Sequence, residues 1–404
     1  MPSSPPQPAG KCLNIGFRVG TFPKLSETFV LSQIEGMIAR GHNVSILADQ
    51  RSGPEEIGAA PEGLAGLDYV LPASSVLAGL RAKLPYRVRR FLTRRQERAL
   101  CRDNDVVICN FGWFGAQVLA SARDMPDRAR ILTIFHGDDM SRSLLRNDVH
   151  QYDELIASGE LLMPVSDFWA GRLKEFGATP DTIHVHRMGV KVDEFRFQPR
   201  TREAGAPLNL VTVCRFVEKK GLEYAIRGVG QALERMPDAP IRFELIGSGP
   251  LEEPLADLVR DLGLEDRVLF SGALPHKDVV SALERSDALI LPSVVSSDGD
   301  MEGIPLSLME AMASGVSVVS TYHSGIPELI EHGVSGLLSE ERNVDQVADN
   351  ILKLLQNPED AAKMAQQARL VIESKFNSDM LNDQLEKLCR EAADRSQPAA
   401  APGA

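Results

Sequence analysis

The chain has 404 residues and a net charge of −12, from 44 lysines and arginines against 56 aspartates and glutamates. This acidic balance, with no recognised nucleic-acid module, excludes nucleic acid as a partner. Hydrophobic residues make up 43% and charged residues 25% of the sequence, which is ordinary for a globular protein with enough core for two domains.

The same features predict a cytoplasmic protein. Its five cysteines form no C-x-x-C pair, as expected in a reducing compartment. Residues 1–11 lack the apolar segment of a signal peptide and predict a disordered leader. No apolar run reaches the roughly 18 residues that a membrane-spanning helix needs.

Strands and helices alternate along the chain, beginning with a strand at L-N-I-G-F. The loop R-V-G-T-F-P-K-L-S leads into a helix that stops at Gly41, and Ser26 is a candidate N-cap of that helix. Further strands are predicted at N-V-S-I-L-A, D-V-V-I-C-N, I-L-T-I-F-H and L-L-M-P-V-S, and T-I-H-V-H follows them. Continuous apolar strands between amphipathic helices indicate parallel sheets that are covered on both faces.

The pattern divides into two α/β domains. The first spans residues 12–195 and the second, in which a new strand–helix series begins, spans residues 208–378. Residues 196–207 contain Pro, Arg and Gly without a hydrophobic period, so they form the predicted linker. The last residues, 394–404, are of low complexity and predict a loose tail.

One segment of the first domain, Arg81 to Arg98, is strongly basic within this acidic chain. Glu97 is its only acid, and apolar residues alternate with its cations, which are Arg81, Lys83, Arg87, Arg89, Arg90, Arg94, Arg95 and Arg98. A basic amphipathic segment is typical of proteins that bind an anionic membrane surface. An ordinary solvated helix explains the pattern equally well, so both interpretations stay open.

Arg215 and Lys220 follow the strand L-N-L-V-T-V-C of the second domain. A strand end in an open α/β sheet delivers such cations to the crevice where ligands bind. Arginine grips a diphosphate with two parallel N–H bonds, while lysine acts as a point charge. Further on, F-E-L-I-G-S-G-P-L predicts a strand, a short glycine-rich turn at Gly247 and a helix.

The segment E-G-I-P-L-S-L-M-E carries two carboxylates, Glu302 and Glu310, eight residues apart. Glu302 is predicted on the loop before a helix, Gly303, Ile304 and Pro305 in its first turn, and Glu310 in its second or third turn. The free N–H groups of a helix N-terminus bind phosphate. Glu302 would then reach the hydroxyls of a bound sugar and Glu310 those of a ribose. The nearby Asp298 and Asp300 fit a cation site or, preferably, an acidic surface loop.

Taken together, these segments resemble the E-x7-E motif and its surroundings in the retaining glycosyltransferases of family 4. The segment I-L-T-I-F-H-G-D-D resembles their H-G-x-D motif, at His136, and R-V-L-F-S-G-A-L-P resembles their nucleobase pocket. The stretch F-P-K-L-S-E-T-F-V is similar to that of bacterial transferases that build exopolysaccharides such as colanic acid and amylovoran. The chain departs from the commoner pattern by having E-G-I-P in place of E-x-F-G, which leaves the register of Gly303 open.

This resemblance implies the GT-B fold, in which two doubly wound Rossmann-like domains face each other across a cleft. It implies a helix at residues 379–393 that crosses back onto the first domain. The implied activity is retaining transfer of a hexose from a nucleoside-diphosphate sugar to a glycan acceptor, here a polyprenyl-linked saccharide at the inner face of the cytoplasmic membrane. The donor is a UDP or a GDP sugar, and the sequence leaves that choice open.

The resemblance also implies a role for each candidate residue. Arg215 and Lys220 stabilise the departing diphosphate with Gly303, Ile304 and Pro305, so that neither a metal nor a cofactor is expected. Glu302 and His136 face the donor sugar from opposite sides, and Glu310 holds the ribose. Other backbone contacts are expected at Gly247, Gly272 and Leu274 for the donor and at Gly20, Ser26 and Glu27 for the acceptor. Two alternatives are a sugar-nucleotide 2-epimerase of the same fold and a catalytically silent donor-binding subunit.

Overall fold

The computed structural model describes residues 11–24, 27–51, 68–69, 85–148, 150–198, 200, 202–203 and 205–395. The first domain contains a sheet of six parallel strands in the order β3-β2-β1-β4-β5-β6. The strands are β1 (Asn14–Phe22), β2 (Asn43–Arg51), β3 (Asp68–Tyr69), β4 (Val106–Asn110), β5 (Arg130–Phe135) and β6 (Leu161–Pro164).

Helices cover both faces of this first sheet. The central strands β1, β4 and β5 are apolar and almost wholly buried, so neither face can remain in water. The helices are α1 (Thr28–Ala39), α2 (Tyr86–Asp103), α3 (Gly112–Ala122), α4 (Arg142–Arg146), α5 (Asp153–Ala157) and α6 (Asp167–Glu175), with 3-10 turns at Asp138–Met140, Pro180–Thr182 and Val192–Glu194.

The second domain repeats this plan with strands in the order β12-β11-β10-β7-β8-β9. The strands are β7 (Leu208–Val213), β8 (Ile241–Ile246), β9 (Val268–Gly272), β10 (Ala288–Ile290), β11 (Ser317–Thr321) and β12 (Leu337–Ser339). The helices are α7 (Leu222–Arg235), α8 (Glu252–Asp261), α9 (His276–Glu284), α10 (Leu306–Ser314), α11 (Ile326–Leu329), α12 (Val344–Gln356) and α13 (Pro358–Lys375), with a 3-10 turn at Glu218–Lys220.

The last described helix, α14 (Ser378–Arg395), returns to the first domain. Its Leu385 and Cys389 are buried in the first domain's core. Asn382 Nδ2 donates to the Ser32 carbonyl of α1 at 3.2 Å. The two domains are therefore held together by a second chain crossing as well as by the linker. None of the helices in the described ranges is long and apolar enough to cross a membrane.

Each sheet has one point at which the chain reverses its direction of winding. In the first sheet it lies between the neighbouring strands β1 and β4, and in the second between β7 and β10. The carboxyl ends of parallel strands open into a ligand-binding crevice at such a point. The two crevices face each other, because a Cβ added to Gly137 of the first domain would lie 2.9 Å from the backbone nitrogen of Gly303 in the second.

The first predicted strand has different bounds in the structure. The first strand does not end at L-N-I-G-F but continues to Phe22, because its ladder with β2 runs on to the pair Phe22 and Arg51. The segment T-I-H-V-H, which follows the predicted strands, does not form a strand. Residues there form a single bridge, between Ile183 and Leu162, since the segment follows the edge strand β6 for only a few residues.

Candidate active site

Arg215 and Lys220 lie at the β7–β10 crevice of the second domain. Arg215 lies two residues after the end of β7 and is exposed, and its guanidinium has no bond or ion pair with the residues that the structure describes. Lys220 ends the 3-10 turn Glu218–Lys220, and the next residue, Gly221, has φ 65° and packs against the Pro292 carbonyl after β10. Only glycine fits that close approach, so the loop places both cations at the strand ends.

Glu302 is buried beside Lys220. Lys220 Nζ lies 2.7 Å from Glu302 Oε1, but the two atoms are not aligned as a hydrogen bond, so this oxygen can still accept one from a ligand. Burial alone would raise the pKa of the Glu302 carboxyl, yet Lys220 and then Lys219 outweigh it and lower the pKa to about 2. Glu302 is thus an anion at every physiological pH.

A histidine that the sequence did not single out fixes the backbone of Glu302. The Glu302 N–H donates to His323 Nε2 at 3.0 Å, and His323 Nδ1 donates to Glu341 Oε1 at 2.6 Å. Both bonds require the neutral tautomer with its proton on Nδ1. His323 is completely buried, and no motif in the sequence marks it.

The helix after Glu302 starts later than the sequence predicts. Pro305 is the N-cap, with ψ 126°, and α10 begins at Leu306, so Gly303, Ile304 and Pro305 do not form its first turn. The reason is that Gly303 packs closely against the first domain. A Cβ added to Gly303 would come within 2.8 Å of the His136 carbonyl oxygen. The backbone N–H groups of Gly303 and Ile304 therefore donate to no described residue and stay open to a ligand.

Glu310 lies in the second turn of α10, within the predicted range. Burial raises the pKa of its carboxyl, while His276 opposes that shift and Glu194 adds to it. Glu310 thus differs from Glu302, whose carboxylate is held by ammonium groups.

The glycine-rich turn lies against the Arg215 loop. A Cβ on Gly247, at φ 140°, would collide with the Cys214 carbonyl, and the Phe216 N–H donates to the Ser248 carbonyl at 2.9 Å. The Gly247 N–H donates to the Gly272 carbonyl at 2.8 Å. Gly247, Gly272 and Arg215 are thus brought to one edge, and Leu274 packs just beyond it on the second domain's core.

His136 directly follows β5 on the first-domain side of the cleft. Its Nε2 lies 3.1 Å from Asn110 Oδ1, and Asn110 Nδ2 donates to Gln33 Oε1 at 3.2 Å. This chain of bonds places the ring proton on Nε2 and leaves Nδ1 as a buried acceptor without a partner. Burial, with a smaller effect of His186, lowers the pKa of the ring to about 3, so His136 is neutral.

Asp139 holds the loop around His136, and sequence reasoning did not assign it this role. Its buried carboxylate accepts the backbone N–H groups of His136 at 2.9 Å, Gly137 at 3.0 Å and Gly112 at 2.8 Å. Burial raises the pKa of this carboxyl to about 6, although the three N–H donors lower it. Its sequence signal is the H-G-x-D motif, because Asp139 is the last residue of the segment H-G-D-D.

The predicted acceptor-side residues are spread along the β1–α1 connection. Gly20 lies inside β1 rather than in a loop, because the strand continues to Phe22. Ser26 lies outside the described residues. Glu27 is the N-cap of α1, without a side-chain cap bond, and forms an ion pair with Lys24 at 2.5 Å. The following turn brings Phe29 against His136, with ring centroids 4.6 Å apart.

The two predicted acids before Glu302 form ion pairs between the domains. Asp300 Oδ1 lies 3.0 Å from Lys219 Nζ, and its Oδ2 lies 3.3 Å from Arg142 of α4. Asp298 pairs with Arg142 at 3.6 Å and with Arg146. The expected acidic surface loop is therefore wrong for Asp300, which is 5% exposed, because cations from both domains enclose it.

Comparisons with known proteins agree with this geometry. The family described as "Glycosyl transferases group 1" matches residues 193–371, and "Glycosyltransferase Family 4" matches residues 26–194. HepE of Anabaena, solved with UDP and glucose, superposes with a TM-score of 0.70 at 17% identity over 94% of this chain and 100% of that one. Sucrose-phosphate synthase of Thermosynechococcus elongatus gives 0.70 at 18% identity over 95% and 99%. The fold and cleft define a glycosyltransferase of the GT-B class, as the sequence predicted.

Similarity in sequence then identifies the family. The chain is 37% identical over 409 residues to WcaL of Escherichia coli (strain K12), a candidate colanic acid biosynthesis glycosyltransferase, with 93% of this chain and 99% of that protein covered. It is 32% identical over 416 residues to the amylovoran biosynthesis glycosyltransferase AmsK of Erwinia amylovora, covering 94% and 100%. The chain therefore belongs to the group 1 and family 4 glycosyltransferases, and the predicted family is confirmed.

Proposed function

We propose that this glycosyltransferase transfers a hexose, with retention, from a nucleoside-diphosphate sugar to a hydroxyl of a growing glycan in exopolysaccharide assembly. The names of WcaL and AmsK support the exopolysaccharide role. The observation that carries the proposal is the grouping of an unpaired Arg215, the Lys220–Glu302 pair and two open N–H groups at the β7–β10 crevice.

The cationic side of this group suits the departing diphosphate. Arg215 is free to grip two phosphate oxygens, and the N–H groups of Gly303 and Ile304 offer further donors at the approach to α10. Lys220 adds a positive charge within reach of the same place. These groups act on charge that develops as the bond to the sugar breaks, so they stabilise the transition state more than the bound donor.

The donor sugar belongs between Glu302 and His136. Glu302 Oε1 and His136 Nδ1 are both acceptors without an aligned hydrogen bond among the described residues, and both suit sugar hydroxyls. Glu310 is assigned to the ribose, and the edge formed by Gly247, Gly272 and Leu274 to the nucleobase end of the donor. The donor is a UDP or a GDP sugar in this proposal.

Retention follows from attack on the same face that the diphosphate leaves. The acceptor oxygen forms the new bond to the anomeric carbon as the bond to the phosphate oxygen breaks with its electron pair. The acceptor proton passes to an oxygen of the departing diphosphate. His136 remains neutral throughout, as its low pKa requires, and orients the sugar instead of supplying a proton.

Arg215→Ala is the sharpest test of the diphosphate site. Arg215 is exposed and unpaired, so its loss should leave the melting temperature unchanged while turnover falls roughly a hundredfold. Arg242→Ala, at an exposed arginine of β8, is the matched control. Donor hydrolysis and transfer by the purified chain measure both. Wild-type turnover of Arg215→Ala would contradict the assignment.

Metal independence is a second part of the proposal. The fixed cations and N–H groups face the diphosphate site, and Asp298 and Asp300 are engaged by Arg142, Arg146 and Lys219. We expect full activity in excess EDTA. Loss of activity that magnesium or manganese restores would instead assign a metal to these two aspartates.

The finer part of the proposal concerns the basic segment of the first domain. Residues 81–84, with Arg81 and Lys83, lie outside the described residues. Pro85 precedes α2, and residues 86–98 lie on it. Arg90 pairs with the buried Glu97 at 3.2 Å and Arg98 pairs with Asp124, so these two arginines serve the fold.

The remaining side of α2 forms a mixed basic and apolar surface. Its members recur with helical spacing, are exposed and make no ion pair with described residues. They are Arg87, Val88, Phe91, Arg94 and Arg95. We name this set the α2 face. Phe91 is 66% exposed, which is costly for an aromatic ring in water. The lipids of an anionic membrane that presents a lipid-linked acceptor would pair with the arginines of the α2 face and bury its aromatic ring.

A further inference from the structure

We propose that Phe111 and Trp113 form an aromatic platform that binds the acceptor sugar, an assignment that rests on the proposed transferase function. The two rings stack with centroids 4.7 Å apart and planes 2° apart. Phe111 in turn contacts the His136 ring, at 4.6 Å. A row of rings thus leads from the donor-facing histidine to Trp113.

The position of the platform is that of a ligand site. Phe111 directly follows β4, whose carboxyl end forms one wall of the β1–β4 crevice, and Trp113 lies in the first turn of α3. The other wall is the end of β1 and the segment that leads to α1. In the proposed function the second-domain crevice opposite holds the diphosphate, so an acceptor hydroxyl must enter from this first-domain side.

The platform is rigid and partly open. Phe111 has φ 86°, a left-handed conformation that a bulky residue rarely adopts. It is held because the Phe111 N–H donates to the Ile134 carbonyl at 2.9 Å and the Gly112 N–H donates to Asp139. A Cβ on Gly112 would collide with Phe135, so glycine allows the loop to pack closely there, with the Phe111 ring against His136.

The chemistry of the exposed ring suits a sugar. Both rings are only partly buried. One face of Trp113 covers Phe111, its edge meets Phe114 at 6.0 Å, and its second face has no ring contact among the described residues. The C–H groups on one face of a pyranose match the negative face of an indole. The indole N–H, which is neither buried nor bonded to a described residue, can donate to a sugar hydroxyl.

The experiment uses methyl glycosides of glucose, galactose, mannose, fucose and N-acetylglucosamine as probes, with UDP or GDP present. Saturation-transfer NMR should show at least one glycoside bound through the C–H protons of one ring face. Trp113→Ala should weaken its binding about tenfold, while Trp113→Phe should retain most of it. Tyr322→Ala, which removes another exposed ring, should leave glycoside binding unchanged.

A second readout separates the platform from the donor site. The chain has two tryptophans and Trp169 is fully buried, so protection from a fluorescence quencher reports on Trp113. Donor hydrolysis and nucleotide affinity should stay within about twofold of wild type in Trp113→Ala. No glycoside bound by wild type, or equal binding by Trp113→Ala, would overturn the platform. Absence of donor hydrolysis by wild type would contradict the proposed function instead.

Discussion

At the scale of single residues, the two glutamates of the E-x7-E segment differ in their surroundings. Glu302 is an anion enclosed by Lys220 and Lys219, whereas burial raises the pKa of Glu310. A carboxylate held beside cations keeps its charge for the reacting sugar. One that is less well paired suits neutral hydroxyls, such as those of a ribose, which satisfy it only when the donor binds.

We expect this difference to appear in binding and rate. Glu310→Ala should weaken the binding of UDP or GDP about tenfold, because a ribose contact is present in both the ground and the transition state. Glu302→Gln should lower the maximal rate roughly a hundredfold and leave nucleotide affinity nearly unchanged. Calorimetric titration and steady-state rates measure the two effects. Loss of nucleotide binding in Glu302→Gln alone would reverse the roles.

The buried His136 predicts a pH dependence of stability. Its pKa is lowered to about 3 in the folded chain, so the unfolded chain binds more protons between that value and about 6.5. The contribution of neutral His136 to the free energy of unfolding is therefore complete above about pH 6.5 and is lost as the pH falls towards 3.

The measurement compares wild type with His136→Asn by urea unfolding from pH 7 to pH 5. The free-energy difference between them, wild type minus variant, should fall by about 1.4 kcal/mol per pH unit below about pH 6.5. Asp139, whose raised pKa has the opposite sign, is present in both chains and cancels. A difference that is constant with pH would show that His136 is already protonated or solvated.

At the scale of secondary-structure elements, α2 has two sides with separate tasks. One side packs on the domain through Glu97, which is fully buried and meets Arg18 at 3.5 Å and Ser121 as well as Arg90. The other side is the α2 face. Removing Arg90 would leave a buried carboxylate short of a partner, so Arg90 is unsuitable as a probe of docking.

We expect Arg87→Glu, Arg94→Glu and Arg95→Glu together to abolish co-sedimentation with anionic liposomes. Wild type should sediment at low salt and less at high salt, because screening shortens charge interactions to about 8 Å at physiological ionic strength. Activity on a soluble acceptor should persist.

The matched control changes three exposed lysines of the other helices, Lys353, Lys363 and Lys387, to glutamate. It alters the net charge equally but leaves the α2 face intact. Equal sedimentation of both triple variants, or none by wild type, would make α2 an ordinary solvated helix.

At the scale of the whole molecule, ion pairs and capping bonds hold the domains closed on both sides of the cleft. On one side Arg142 and Arg146 meet Asp298 and Asp300. On the other, Glu328 of α11 accepts the N–H groups of Asp167 and Phe168 at 3.0 and 2.9 Å, which caps α6 of the first domain. Closure therefore depends on polar contacts that water can replace.

We expect Arg142→Ala with Arg146→Ala to open the cleft. The buried Asp300 then loses a cation from the opposite domain, and its attraction across the cleft is removed. Small-angle scattering should show a larger radius of gyration, and turnover should fall because His136 and Glu302 separate. Arg123→Ala with Arg172→Ala removes the same charge from exposed pairs within the first domain. Identical scattering of both double variants would contradict the role of the Arg142 and Arg146 ion pairs in holding the domains closed.

The sequence by itself determined the fold class and the family. Alternating buried strands and helices follow from local hydrophobic period, and short motifs such as E-x7-E keep their spacing because a loop and a helix turn fix it. It also determined that Arg215, Lys220 and His136 follow strands and that Glu302 lies on the loop before a helix. Their catalytic roles stay predictions.

Only the tertiary structure decided contacts between segments that are distant in the chain. His323 under Glu302 and Arg142 beside Asp300 have no local period or motif. Asp139 belongs to the H-G-x-D motif, but its bond to Gly112 joins segments that are 27 residues apart. The start of α10 at Leu306, rather than at Gly303, is likewise decided across the cleft by the His136 carbonyl. A residue's partners depend on how the two domains meet, and that arrangement has no counterpart in the spacing of residues along one chain.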